Sequence, residues 1–164
     1  MRGINFSFES EWEPFKVDGE HLTFERLSSR RLRQEICSHW GPAIYKWEGL
    51  IEEGPHEGEE GVLVGETGNL RQRIREYASG TQQKGNKRWR DEFLARGPVR
   101  LYILRFRRAE FLVDHLAAVD LEEDLLLSGN CRVVLEQLLV LDEVIRSSRR
   151  RQTERKRWVV NRKL

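Results

Sequence analysis

The sequence predicts an α+β protein, within the broad α/β class, in which short strands and helices share one domain. Residues 42–48 alternate as a strand does, residues 62–64 form a second short strand, and residues 99–106 form a mostly apolar third strand. The chain has 164 residues, 38% of them apolar, which suits one domain plus an extension. We therefore expect residues 1–40 to be an N-terminal extension packed on a domain over residues 41–164.

The first two strands are predicted to form a hairpin with a long loop. Residues 49–61 are rich in Gly, Glu, Pro and His and break the alternation, and the second strand ends at Gly65. Thr67 or Asn69 can then cap a helix, because their side-chain oxygens accept bonds from the first backbone N–H groups. The apolar residues of that helix are Leu70, Ile74, Tyr77 and Ala78.

Three further helices are predicted from apolar residues at helical spacing. Their apolar residues are Trp89, Phe93 and Leu94 in a basic helix, Leu112, Leu116 and Val119 in the next, and Val134, Leu138, Leu141 and Ile145 in the last. The closing block R-K-R-W-V-V-N-R-K-L is expected to dock as an extended segment.

Charge is strongly segregated along the chain although the total is only +2. Residues 1–70, 71–108, 109–145 and 146–164 carry net charges of −7, +9, −8 and +8. Clustered Lys and Arg attract phosphates, so the pattern favours a nucleic-acid face, and a solvated helix face with a basic tail is the alternative. Such contacts address the phosphate backbone and carry no base-sequence information. The predicted nucleic-acid contacts are Arg71, Lys84, Lys87, Arg88, Arg90, Arg149 and Arg150.

Several classes of protein are excluded by composition. No apolar stretch approaches the roughly 18 residues of a membrane span, and the acidic, aromatic N-terminus is unlike a signal peptide. We therefore expect a cytoplasmic protein with no membrane partner. Cys37 and Cys131 are far apart, so neither a disulfide framework nor a cysteine zinc site can be assembled.

The most specific pattern lies in the first hairpin and its helix. Residues 43–45 read A-I-Y, and residues 63–77 read L-V-G-E-T-G-N-L-R-Q-R-I-R-E-Y. This resembles the GIY-YIG nuclease family, in which a G-I-Y strand, a Y-I-G strand and a T-x-N-L turn precede a helix with an Arg and then a Tyr or His. All six fixed positions of G-x-T-x-N-L-x-x-R-x-x-x-Y match. The resemblance covers roughly residues 41–140 and implies a small three-stranded antiparallel sheet flanked by helices.

The resemblance also implies a metal-dependent DNA endonuclease that hydrolyses phosphodiester bonds with Mg²⁺ or Mn²⁺. Tyr45 is implied as the base or the water-orienting phenol, and Arg73 as the fixed positive charge for the phosphate. Tyr77 is implied as a hydrogen-bond partner of the phosphate or its water, and Glu136 as the ligand of a single divalent ion. Helical spacing puts Glu136 on the polar side of its helix, so a solvated glutamate fits equally well, and Glu143 is the rival ligand.

The sequence departs from the family pattern at three positions, so other functions remain open. Leu63 replaces the first tyrosine of Y-I-G, Ala43 replaces the glycine of G-I-Y, and Glu66 stands where other members often have a polar or basic residue. A catalytically inactive nucleic-acid-binding protein that retains the nuclease fold is therefore the alternative function, and a structural module that docks an acidic partner is a third. Asn161 is matched to a late asparagine of some members. One site cuts one strand, so a double-strand break requires a homodimer or two sequential visits.

Overall fold

The strands and helices define a layered α+β architecture. The computed structural model describes residues 4–28, 41–79, 93–113, 119–149 and 155–161. The strands are β1 (Ile4–Pro14), β2 (Lys16–Val17), β3 (Glu20–His21), β4 (Ala43–Leu50), β5 (Glu60–Thr67), β6 (Arg100–Val113), β7 (Val119–Asp120) and β8 (Arg157–Val159). The helices are a 3₁₀ turn (Glu25–Ser28), α1 (Leu70–Ser79), α2 (Glu123–Leu126) and α3 (Gly129–Arg149).

One mixed sheet of six strands dominates the described part of the chain. Its order is β1-β6-β4-β5-β8, with β7 paired to β6, and it curls into a half-barrel. Strand β8 runs parallel to β5, and the other neighbours are antiparallel. The predicted small three-stranded sheet is therefore wrong in extent. The predicted strands form the centre, β6-β4-β5, and three further strands extend it.

The sheet is larger because β6 is 14 residues long and finds a partner in the extension. All 11 residues of β1 pair with it. Phe6, Phe8 and Trp12 of β1 are separated by two and four residues, which puts them on one face of the strand, and they pack against the core. The helix predicted around Leu112 is wrong, because Leu112 lies in β6 and Val119 in β7. The third residue of that predicted helix, at position 116, lies outside the described residues.

The sheet has two apolar faces, and each is covered by a helix. Tyr45, Trp47 and Leu63 belong to the core that receives α1, whereas Ile44 and Val64 belong to the core that receives α3. Phe93 and Leu94 are fully buried in the α1 core. The closing block docks as strand β8, which confirms the expected extended segment. No helix in the described ranges has the length and apolarity needed to cross a membrane.

Helix α3 packs with the face opposite to the predicted one. Its buried residues are Leu135, Leu139, Val140 and Glu143. The residues predicted as its core face, Val134, Leu138, Leu141 and Ile145, are exposed. The prediction failed because Glu143 looked polar in sequence, whereas Lys46 of β4 and Arg157 of β8 neutralise it beneath the helix.

Candidate active site

The turn between β5 and α1 sets the direction of the helix that carries two of the predicted site residues. The Thr67 hydroxyl accepts a bond from Asn69 N at 3.1 Å, and the Asn69 side chain accepts one from Gln72 N at 3.0 Å. Asn69 therefore caps α1, as its sequence position predicts. Arg73 and Tyr77, four residues apart, lie on one side of the helix that this cap starts.

Tyr45 and Tyr77 meet inside the sheet–helix layer. Their hydroxyl oxygens are 3.0 Å apart, and each side chain is only 3% exposed. Tyr45 pairs across the sheet with Gly65, where a Cβ atom would lie 2.5 Å from the Tyr45 hydroxyl. The motif glycine is therefore required by close packing, because any side chain there would displace the Tyr45 ring. Burial raises the pKa of Tyr45 well above its ordinary value and also raises that of Tyr77.

Arg73 and Glu136 supply the charges around this phenol pair. Arg73 Nη1 lies 3.1 Å from Glu76 Oε2, and its positive charge acts on Tyr45, Tyr77 and Glu136. Partial burial, followed by repulsion from Glu66, raises the pKa of Glu136 from 4.5 to about 7, against the opposing influence of Arg73. The structure thus brings all four implied catalytic residues, from β4, α1 and α3, within electrostatic reach of one another.

Glu136 and Glu66 are the carboxylates of this site that could contact a metal ion. Glu136 and Glu66 repel each other, and a cation between or beside them would relieve that repulsion. Glu66 is partly engaged already, because its Oε2 accepts a bond from Arg132 Nε at 2.9 Å. The described residues contain no group of three or more His, Cys, Asp or Glu side chains that could hold a metal. An ion at Glu136 would therefore take most of its ligands from water.

Glu143, the rival ligand, belongs to a separate buried charge cluster that sequence analysis missed. Lys46 Nζ lies 2.9 Å from Glu48 and 4.0 Å from Glu143. Arg157 bonds to Glu48 and lies 3.0 Å from Glu143 Oε2. The ammonium of Lys46 also lies 5.0 Å from the ring centre of Trp12. Lys46 and Glu48 share one strand face, so their spacing was a usable signal for half of this cluster.

The remaining predicted residues fall in different places. Leu63 is buried opposite Trp47 in the apolar core, so its position holds packing contacts. Arg71 is partly buried on α1, and Arg149 is exposed in the last turn of α3. The other predicted nucleic-acid contacts lie outside the described residues: Lys84, Lys87, Arg88, Arg90 and Arg150.

Asn161 has a clear structural role beside the sheet. Its amide donates to Val64 O at 2.6 Å, and its side-chain oxygen accepts from Val64 N at 2.8 Å. Val160 N also donates to Val62 O at 2.9 Å, which continues the pairing between β8 and β5. Asn161 therefore ties the C-terminal segment to the strand that carries the motif glycine.

Comparison with known proteins adds no relative. A scan of family models, a search of curated proteins and a search of solved structures each found no match to this chain. The resemblance to the GIY-YIG nucleases therefore rests on the motif residues of this chain alone.

Proposed function

We propose that the protein is a metal-dependent endonuclease that hydrolyses DNA phosphodiester bonds. The observation that carries the proposal is the convergence of four residues from three elements. The phenols of Tyr45 and Tyr77 are buried, and the charged side chains of Arg73 and Glu136 beside them are partly exposed. Phosphodiester hydrolysis requires an oriented water, a fixed positive charge for the developing negative charge, and stabilisation of the leaving oxygen. The four residues offer the hydrogen-bonding groups, the cation and the carboxylate for this chemistry.

The phenols act in this proposal as hydrogen-bonding groups. Because burial raises the pKa of Tyr45 well above its ordinary value, the phenol stays protonated near neutral pH. It therefore orients the attacking water through a hydrogen bond, and Tyr77 holds it in place at 3.0 Å. The Arg73 guanidinium is partly exposed at the same site and offers two N–H groups to phosphate oxygens.

Glu136 would hold the divalent ion, with Glu66 beside it. Bound Mg²⁺ or Mn²⁺ would supply Lewis-acid stabilisation of the negative charge on the phosphate and the leaving oxygen. The carboxyl group must be ionised for this role, and its pKa of about 7 means that protons compete with the ion near neutral pH. Cleavage is therefore expected to rise with pH through this range, with a midpoint that falls as metal concentration increases.

DNA would approach along the basic side of α1. Arg71 is partly exposed on this helix, and its Nε has no hydrogen-bond partner within the described ranges. A phosphate oxygen is a suitable partner for such a guanidinium. Such arginine contacts are made to the phosphate backbone of DNA, so they favour binding that depends on salt concentration and not on base sequence.

The decisive experiment is cleavage of supercoiled plasmid and labelled oligonucleotides with Mg²⁺, Mn²⁺ or EDTA. We expect metal-dependent nicking by the wild type, loss of nicking in Arg73→Ala and in Glu136→Ala, and retained nicking in Arg75→Ala. The last variant is a matched control, because Arg75 is an exposed arginine two residues away on the same helix. Cleavage that persists in EDTA, or in Glu136→Ala, would contradict the proposed roles.

A second candidate is a nucleic-acid-binding protein without nuclease activity. Two observations favour it: Leu63 lacks the phenol of the family motif, and Tyr45 and Tyr77 are almost completely buried. The same experiment separates the candidates, since this protein would bind DNA in a salt-dependent manner and leave it intact with every metal.

A further inference from the structure

Helix α3 exposes an apolar stripe that nothing in the described part of the chain covers. Between 37% and 59% of the surface of each residue in the stripe is accessible. Single exposed apolar residues are ordinary, but a contiguous apolar patch on a monomer usually marks a contact surface. The stripe consists of Val133, Val134, Leu138, Leu141, Val144 and Ile145.

Four positions of this stripe are symmetric about the middle of the helix. Val134, Leu138, Leu141 and Ile145 are separated by four, three and four residues, so their spacing is the same from either end. A second copy of α3 in the antiparallel direction would place Val134 against Ile145 and Leu138 against Leu141. A self-complementary surface of this kind is what a two-fold homodimer requires. The spacing also matches the seam along which two helices pack lengthwise.

The charges at the two ends of α3 are opposite. Four exposed acidic residues precede the helix: Asp120, Glu122, Glu123 and Asp124. Arg146 and Arg149 lie in its last turn and are exposed. Arg146 makes an ion pair with Asp142 yet its side chain is 68% exposed, which leaves the guanidinium accessible. Antiparallel packing would bring the basic end of each copy to the acidic end of the other, and would oppose the helix dipoles favourably.

The stripe continues into a groove beside the helix. A groove of about 790 Å³ lies between α3 and β1, with Leu138 on one wall and Phe6, Phe8 and Trp12 on the other. Charged residues, among them Glu9, Asp142 and Arg146, line the same groove, so it offers a second helix both apolar and polar contacts.

From these observations we propose that α3 is the interface of a homodimer. Two copies pack their α3 helices antiparallel about the Leu138–Leu141 region, and the residues at 120–124 of each copy face Arg146 and Arg149 of the other. This arrangement assigns Arg149 to the interface rather than to DNA phosphate. It stands independently of the nuclease proposal, and it would provide two sites related by a two-fold axis if that proposal holds.

The test is the mass of the full chain in solution, measured by sedimentation velocity and light scattering over about a hundredfold range of concentration. The wild type is expected at twice the protomer mass of 19.4 kDa. The double variant Leu138→Asp/Leu141→Asp is expected to be a monomer that keeps the wild-type circular dichroism spectrum, because both side chains are exposed in the protomer. Leu112→Asp, with 36% exposure on β6, is the matched control and should remain a dimer.

A charge-swap pair tests the antiparallel arrangement itself. Arg146→Glu/Arg149→Glu and Glu123→Arg/Asp124→Arg should each weaken self-association at least about tenfold, because each homodimer would then face like charges at both ends. An equimolar mixture of the two variants should regain the dimer mass. A monomeric wild type, a dimer that survives Leu138→Asp/Leu141→Asp, or a mixture that stays monomeric would each overturn the proposal.

Discussion

The substitution Glu136→Gln is expected to stabilise the protein at alkaline pH. The glutamate is held where its ionised form is disfavoured, since its pKa is raised from 4.5 to about 7. At about 1.36 kcal/mol per tenfold change in acid dissociation, this rise corresponds to about 3 kcal/mol, and solvent access to the partly buried group roughly halves it. A neutral amide of the same shape would avoid that cost of about 1.5 kcal/mol.

The sign follows from proton binding. Below about pH 4.5 the carboxyl is protonated in the folded and unfolded states alike, so wild type and variant should be equally stable. Between about pH 4.5 and about pH 7 the folded state retains the proton that the unfolded state loses, so rising pH destabilises the wild type. Above about pH 7 the difference in stability between the wild type and Glu136→Gln has reached its full value and no longer changes with pH.

Thermal unfolding followed by circular dichroism, in EDTA at a series of pH values, measures this difference. Glu136→Gln should melt about 3 to 6 °C above the wild type near pH 8 and together with it near pH 4. Glu53→Gln, an exposed glutamate in the β4–β5 loop, is the control and should follow the wild type throughout. The electrostatic reasoning for the site would be refuted if the melting temperatures of wild type and Glu136→Gln changed in parallel with pH. It would also be refuted if the variant melted below the wild type near pH 8.

Three further predictions concern metal binding and packing. Mg²⁺ added near pH 8 should raise the melting temperature of the wild type and leave that of Glu136→Gln unchanged, because a ligand stabilises only a fold that binds it. Gly65→Ala should lower the free energy of unfolding in urea by about 1–3 kcal/mol, because its Cβ would lie 2.5 Å from the Tyr45 hydroxyl. Gly68→Ala is the control and should lower it by less than about 0.5 kcal/mol, because the nearest atom to its Cβ would lie 3.4 Å away. Asn161→Ala should cost about 2 kcal/mol, measured the same way, because Val64 loses both of its side-chain partners. Equal costs for the two glycine variants, or an unchanged Asn161→Ala, would contradict the packing account.

The local elements of the candidate site were predictable from sequence, because local rules govern them. Alternation and glycine placement predicted the central strands, and the cap at Asn69 predicted the start of α1. The extension was harder to interpret: Phe6, Phe8 and Trp12 alternate as in a strand, but their partner β6 lies about a hundred residues away. Pairing between distant strands leaves little mark on either strand alone.

The buried face of helix α3 could not be predicted from sequence periodicity. Its residues form two stripes at helical spacing, one apolar throughout and one containing Glu143. The more apolar stripe was the natural choice for the core, but β4 and β8 provide Lys46 and Arg157 opposite Glu143. Which stripe is buried depended on charges from two other elements, so the helix alone did not contain the answer.

The sequence by itself determined the composition of the candidate site: the phenols, the arginine and the glutamate, and the glycine that makes room for Tyr45. Only the tertiary structure decided their state, because pKa values and distances depend on neighbours from separate elements. Burial keeps the Tyr45 phenol protonated, and partial burial followed by repulsion from Glu66 raises the pKa of Glu136 to about 7. Residue identity is local, whereas desolvation and charge proximity arise only when β4, α1 and α3 pack together.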